Sequence, residues 1–347
     1  MKGIAITSVV MGHCAVGSFT ERFVNQFHLA VFFFVAGYFF KEEYVCKKCV
    51  FIKKRLQRLY FPFVISGVCF LILHPLLEKL YVYEKALTWD SAFRELFNLT
   101  IMLTSNDPMM GAMWFCPALL IVSLLSFVVF CITKGLSIKT RSLGFMTIVA
   151  LGGAFLHLLK LKSPYCVWQY MIVSGIYYLG WLSRQYESKL PKKNIGSCLA
   201  TGFCFFSILI VMTMMGAWAG LQPASIAGEN VVVIMIGSLS GCCFVYSISQ
   251  MLSRLKIGNI LAVLGDYSFS IMLLHLICFK LSSWLYCVLN GQNLYLVYSF
   301  PTIQYTSILW FFVYLLMGTI IPVILSIIWN KCRQTLELLL SHIIIRR

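Results

Sequence analysis

The chain has 347 residues, of which 60% are hydrophobic and only 12% charged. A soluble domain carries about 25% charged residues, and one soluble core cannot bury this much apolar surface, so a soluble globular fold is excluded. The net charge of +16 would point to nucleic acid in a soluble protein. Here the basic residues sit in short loops between apolar segments, which is the positive-inside pattern of a membrane protein.

Apolar segments near the 20-residue length of a transmembrane helix are predicted at 3–19, 24–40, 59–77, 113–132, 143–159, 165–183, 197–218, 231–252, 264–287 and 305–329. The expected fold is all-α and integral to the membrane, with about ten spans satisfying their own backbone hydrogen bonds. No internal repeat or linker divides the chain, so residues 1–347 form one domain. Placing both termini in the cytoplasm puts most of the 28 basic residues on that side. The segment 41–58 (KEEYVCKKCVFIKKRLQR), Lys134, Lys139, Arg141, Arg184, Lys189, Lys192, Lys193, Arg346 and Arg347 all fall there. Arg22, Lys79, Lys85, Arg94, Lys160 and Lys162 fall on the other face.

In the first span, Lys2 and His13 lie close to three helical turns apart and share a face, about 16 Å along the axis. A cation at the membrane rim and an imidazole at depth suit an anionic substrate whose reactive end reaches into the bilayer. A neutral imidazole can then serve as general base, typically contributing about 10²–10⁴-fold. A histidine that packs two helices through a hydrogen bond is the other reading of the same spacing.

His28 opens the second span in the run NQFHLAVFFFVAGY. The basic segment 41–58 reads as a surface helix on anionic headgroups, and it also fits a polyanionic cytosolic ligand. Cys46 and Cys49 form a lone C-x-x-C with no second pair at zinc-finger spacing, so no metal site is expected. In the ninth span Asp266, Ser268 and His275 are functional candidates because ionisable and polar groups are costly there. Ser268 and His275 share a face but stand about 10 Å apart along the helix. They cannot touch, which disfavours a covalent serine mechanism. His74, His157 and Lys280 lie near span ends or lack an evident partner, and snorkelling or a local hydrogen bond accounts for them.

Together these residues resemble the acyltransferase 3 family of membrane acyltransferases, with the fucose 4-O-acetylase-like branch the nearest. The resemblance rests on Lys2-Gly3-Ile4-Ala5-Ile6, Gly12-His13 and the run from Phe27-His28 to Gly37-Tyr38. Met113-Trp114-Phe115-Cys116-Pro117-Ala118-Leu119 and the stretch from Leu264-Gly265-Asp266-Tyr267-Ser268 to Leu273-Leu274-His275 extend it over nearly the whole chain. In that family a basic residue, ten intervening residues and a histidine form the best-known signature, which Lys2 and His13 match. The resemblance implies an O-acetyltransferase of the cell (inner or plasma) membrane. Acetyl-CoA or another acyl-CoA would be a co-substrate rather than a bound cofactor, and the acceptor a hydroxyl of a carbohydrate or lipid-linked glycan. His13 would be catalytic and Lys2 would hold CoA phosphates. His28, Trp114, Ser268 and His275 would position substrate. Family members usually carry an Asp a few residues before the basic residue. There is no room for it before Lys2, so the sequence is expected to lack the start of its first helix. Leu29-Ala30 replaces the usual Met-Pro after His28.

Two rival readings stay open at this level: a glycan or lipid transporter or flippase, since intramembrane histidines also suit a proton-coupled carrier, and a non-catalytic membrane partner of a polysaccharide assembly complex.

Overall fold

The computed structural model describes residues 1–14, 17–187, 194–304 and 307–345, without the side chains at 336 and 338–345. Lys189, Lys192, Lys193, Arg346 and Arg347 of the basic set lie outside the described residues or side chains. Among the described residues the chain is all helix and contains no strand. The helices are α1 (Lys2–Gly12), α2 (Ser18–Asn25), α3 (His28–Tyr38), α4 (Lys48–Lys79), α5 (Trp89–Phe97), α6 (Phe115–Ile132), α7 (Ile138–Leu158), α8 (Val167–Tyr186), α9 (Ile195–Met214), α10 (Pro223–Gly228), α11 (Val231–Leu252), α12 (Lys256–Asp266), α13 (Ser268–Leu289) and α14 (Ile308–Ile345).

Among the described residues seven helices are long and apolar enough to cross a membrane: α4, α6, α7, α9, α11, α13 and the 308–335 portion of α14. Their outward faces carry large exposed apolar side chains such as Ile72, Phe203 and Leu309. Helix α8 is as long but more polar, and its environment explains why. It packs against α3, α6 and α7 and buries a stripe from Tyr170 to Trp181, so protein rather than lipid surrounds it.

The first two expected spans are shorter than predicted. Residues 3–19 do not form one helix: α1 stops at Gly12, His13 is its C-cap, and Gly17 adopts φ +84°, which glycine tolerates. The polar run Ser18 to Asn25 then makes the short amphipathic α2. A second break at Gln26 and Phe27 separates α2 from α3. Gln26 is fully buried, and its Nε2 donates to Thr213 Oγ1 (2.5 Å) and Leu209 O (3.3 Å) on α9. The expected ninth span likewise divides at Tyr267 into α12 and α13.

Small residues set the helix register around these breaks. A Cβ on Gly3 would stand 1.8 Å from Leu261 O, so the backbones of α1 and α12 touch. On α11, Gly237 and Gly241 form a G-x-x-x-G groove, a pattern that admits close packing in membranes. Ala219 of the α9–α10 connection sits against Gly237 and Phe27 against Gly241.

Of the two readings open for Lys280, the structure shows the hydrogen bond and not snorkelling. It is 2% exposed, and its ammonium donates to Val297 O (2.9 Å), Tyr298 O (3.4 Å) and Ser299 O (2.6 Å). A buried cation is tolerated because oriented carbonyl dipoles replace water.

Candidate active site

A cavity of about 660 Å³ runs through the bundle between α1, α3, α4, α6 and α13. Lys2, His13, His28, Trp114 and Ser268 all line it. These residues are scattered over the sequence, and the fold brings them to one cavity.

At one end the wall is basic. Lys2, Lys41, Lys54, Arg55 and Arg58 converge there, with Tyr44 and Phe51 among them. Helix α4 carries a π-helical turn at Leu56–Tyr60, between Arg55 and the long apolar stretch. Such turns are frequent at functional sites because they shift the phase of the helix face. Lys54 Nζ donates to Tyr44 Oη (3.2 Å) and Arg55 Nη2 to Tyr177 Oη (3.3 Å). The Arg55 guanidinium also lies 5.0 Å over the Phe51 ring. Arg141 secures the preceding loop: it is buried, donates to Glu42 (2.8 Å), and stacks over Trp181 at 4.8 Å.

The middle of the cavity holds imidazoles. His13 caps α1 about 16 Å along the helix from Lys2. His28 opens α3, and its Nδ1 donates to Val24 O (2.6 Å). His275 does not line the cavity; it stands behind His13, with ring centroids 5.4 Å apart. Its Nδ1 faces Ile271 O (2.9 Å) and Met272 O (3.1 Å), while its buried Nε2 has no partner among the described residues. Carbonyl oxygens only accept, so in His28 and His275 the proton sits on Nδ1 and the lone pair on Nε2. Phe32 packs on Phe115 (centroids 5.6 Å) across the same region. Asp266 ends α12 exposed to the outside and takes no part in the wall.

The opposite end of the cavity is uncharged apart from Glu21, with Asn25, Trp218 and Gln222 beside it. The sequence motifs did not point to these four. Trp218 and Gln222 sit in a connection that carries no basic residue and no recognisable spacing. Among the described residues no group of three or more His, Cys, Asp or Glu side chains could hold a metal ion, and Cys46 and Cys49 are both exposed.

No curated protein and no solved structure matches the chain at a significant level. The profile described as an acyltransferase domain, Acyl_transf_3, matches residues 1–327. With a bundle of apolar helices around a cavity that joins a cationic rim to buried imidazoles, and a family profile covering nearly its full length, the chain belongs to the acyltransferase 3 family of membrane acyltransferases.

Proposed function

We propose that this membrane acyltransferase is an O-acetyltransferase of the fucose 4-O-acetylase-like kind, moving an acetyl group from cytoplasmic acetyl-CoA to a hydroxyl of a cell-surface glycan or lipid-linked sugar. The observation that carries this reading is the single cavity in which Lys2, Lys41, Lys54, Arg55 and Arg58 ring one end and His13 and His28 stand midway. The remaining assignments go with it: ten spans, counting the shorter α1 and α3 and the more polar α8, both termini on the cytoplasmic side, and the cell membrane as location.

Acetyl-CoA is polyanionic, and the basic end complements its phosphates; clefts of one sign of charge also raise encounter rates. Arginine is suited to phosphate through its planar fork of donors. With the nucleotide held there, the thioester reaches inward toward His13. The acceptor O–H adds to the thioester carbonyl while the imidazole of His13 takes its proton. The C–O bond forms, the C–S bond breaks, and the imidazolium returns the proton to the CoA thiolate. His28 Nε2, Trp114 and Ser268 line the route and orient the two substrates, and His275 backs His13.

The test uses protein in membrane vesicles with acetyl-CoA, scoring CoA release and acetylated product. His13→Ala is expected to lower turnover by about 10²–10⁴-fold while inserting at normal abundance. Wild-type turnover by this variant rejects the assignment.

A further inference from the structure

We infer that the end of the cavity opposite the basic cluster is the acceptor subsite, with Trp218 as platform for a neutral sugar ring and Glu21, Asn25 and Gln222 as partners for its hydroxyls; this rests on the acyl-transfer reading above.

The connection that carries Trp218 is built into the fold rather than draped over it. Ala219 and Leu221 are 0% and 1% exposed. Ala219 fills the groove at Gly237, where an added Cβ would stand only 2.6 Å away. The Trp218 indole is fixed twice. Its Nε1–H donates to Ser225 Oγ (3.1 Å), and the backbone at Gly220 lies so close that a Cβ there would meet Nε1 at 2.4 Å. The indole donor is therefore spent, and what the ring offers is its face. Amphipathic aromatics of this kind supply rigid contact area.

The groups facing the cavity beside it are hydrogen-bond acceptors and carboxamides. Asn25 Nδ2 donates to Glu21 O (2.8 Å), which holds the carboxamide and leaves its oxygen as an acceptor. The Glu21 carboxylate and the Gln222 carboxamide make no hydrogen bond among the described residues, and Gln222 is exposed. All five cations of the cavity wall stand at the other end. Arg22, next to Glu21 on α2, turns its guanidinium toward Gly216 and is not part of the lining, so Glu21 is the one charged lining group an anionic acceptor would meet here, and a lipid alcohol would have to desolvate three polar side chains for nothing in return. A polyhydroxylated ring suits all four residues, because a few placed polar groups around an apolar face fix orientation and specificity. An acceptor held there presents its hydroxyl to His13 from the side away from CoA, so donor and acceptor approach through different mouths.

The experiment uses the full chain in lipid nanodiscs with acetyl-CoA, measuring CoA release with water alone, with a panel of methyl glycosides, and with n-octanol. Glycosides are expected to stimulate release. Trp218→Ala and Gln222→Ala are expected to raise the KM for the stimulating glycoside about tenfold while the KM for acetyl-CoA stays at its wild-type value. Trp218→Phe, which keeps a ring, is expected to restore most of the glycoside response. Because Gln222 is exposed, its variant tests the subsite even where Trp218→Ala fails to fold. Stimulation by octanol instead of glycosides, no stimulation by any glycoside, or an unchanged glycoside KM in Gln222→Ala overturns the subsite. Absence of acetyl-CoA turnover in the wild-type protein under every condition overturns the acyl-transfer reading instead.

Discussion

His275 stands 5.4 Å from His13, centroid to centroid, with one ring nitrogen bonded to its own helix and the other buried without a partner among the described residues. An unpaired buried nitrogen costs about 1–3 kcal/mol, a cost more easily understood where the lone pair serves the neighbouring imidazole. His275→Asn keeps a donor near the Nδ1 position but removes Nε2. It is expected to retain the melting temperature of the wild type in detergent and to lose about 10²-fold in turnover; a purely packing role would give normal turnover instead. The Lys2–His13 relation was legible in the sequence because it follows from the period of one helix. The His13–His275 contact was not, because it depends on α1 lying against α12 at Gly3, with α13 continuing alongside. Hydrophobic pattern shows which face a residue occupies within its helix but not which helix lies opposite. The same limit hid Trp218 and Gln222, whose connection gained its place through Ala219 meeting Gly237.

At the scale of elements, apolar pattern predicted the long lipid-facing helices well and the interrupted ones poorly. Around His13 the sequence stays largely apolar, so hydropathy runs on past the end of α1, whereas the break at Gln26–Phe27 closes the polar run of α2 and was placed too early. The partners of Lys280 were equally hidden, because backbone carbonyls of a connection leave no mark in residue types. That connection, 294–299, is held to α13 by three bonds from one ammonium. Lys280→Met preserves much of the side-chain length and strands those carbonyls. It is expected to cost about 1–3 kcal/mol and to lower the melting temperature in detergent. A melting temperature equal to that of the wild type would show that the three bonds contribute little to stability.

Over the whole molecule, the proposed orientation puts the basic segment 41–58 on the cytoplasmic side of the bilayer. Its Lys53, Lys54 and Arg58 are exposed, and positive loops stay in the cytoplasm. Trypsin is therefore expected to cut at these residues in inside-out vesicles and to leave them intact in right-side-out ones, as read by peptide mapping. Cleavage from the outside would invert the topology and the direction of CoA delivery with it. The cavity that begins at this segment and ends beside Glu21 and Gln222 has exposed residues at both extremes. Any passage that reaches both faces of a membrane threatens the ion gradients on which the cell runs. The contact of Phe32 with Phe115 midway along it is then a seal as well as packing: Phe32→Ala in proteoliposomes should dissipate an imposed pH gradient faster than the parent protein, making this catalyst a leak.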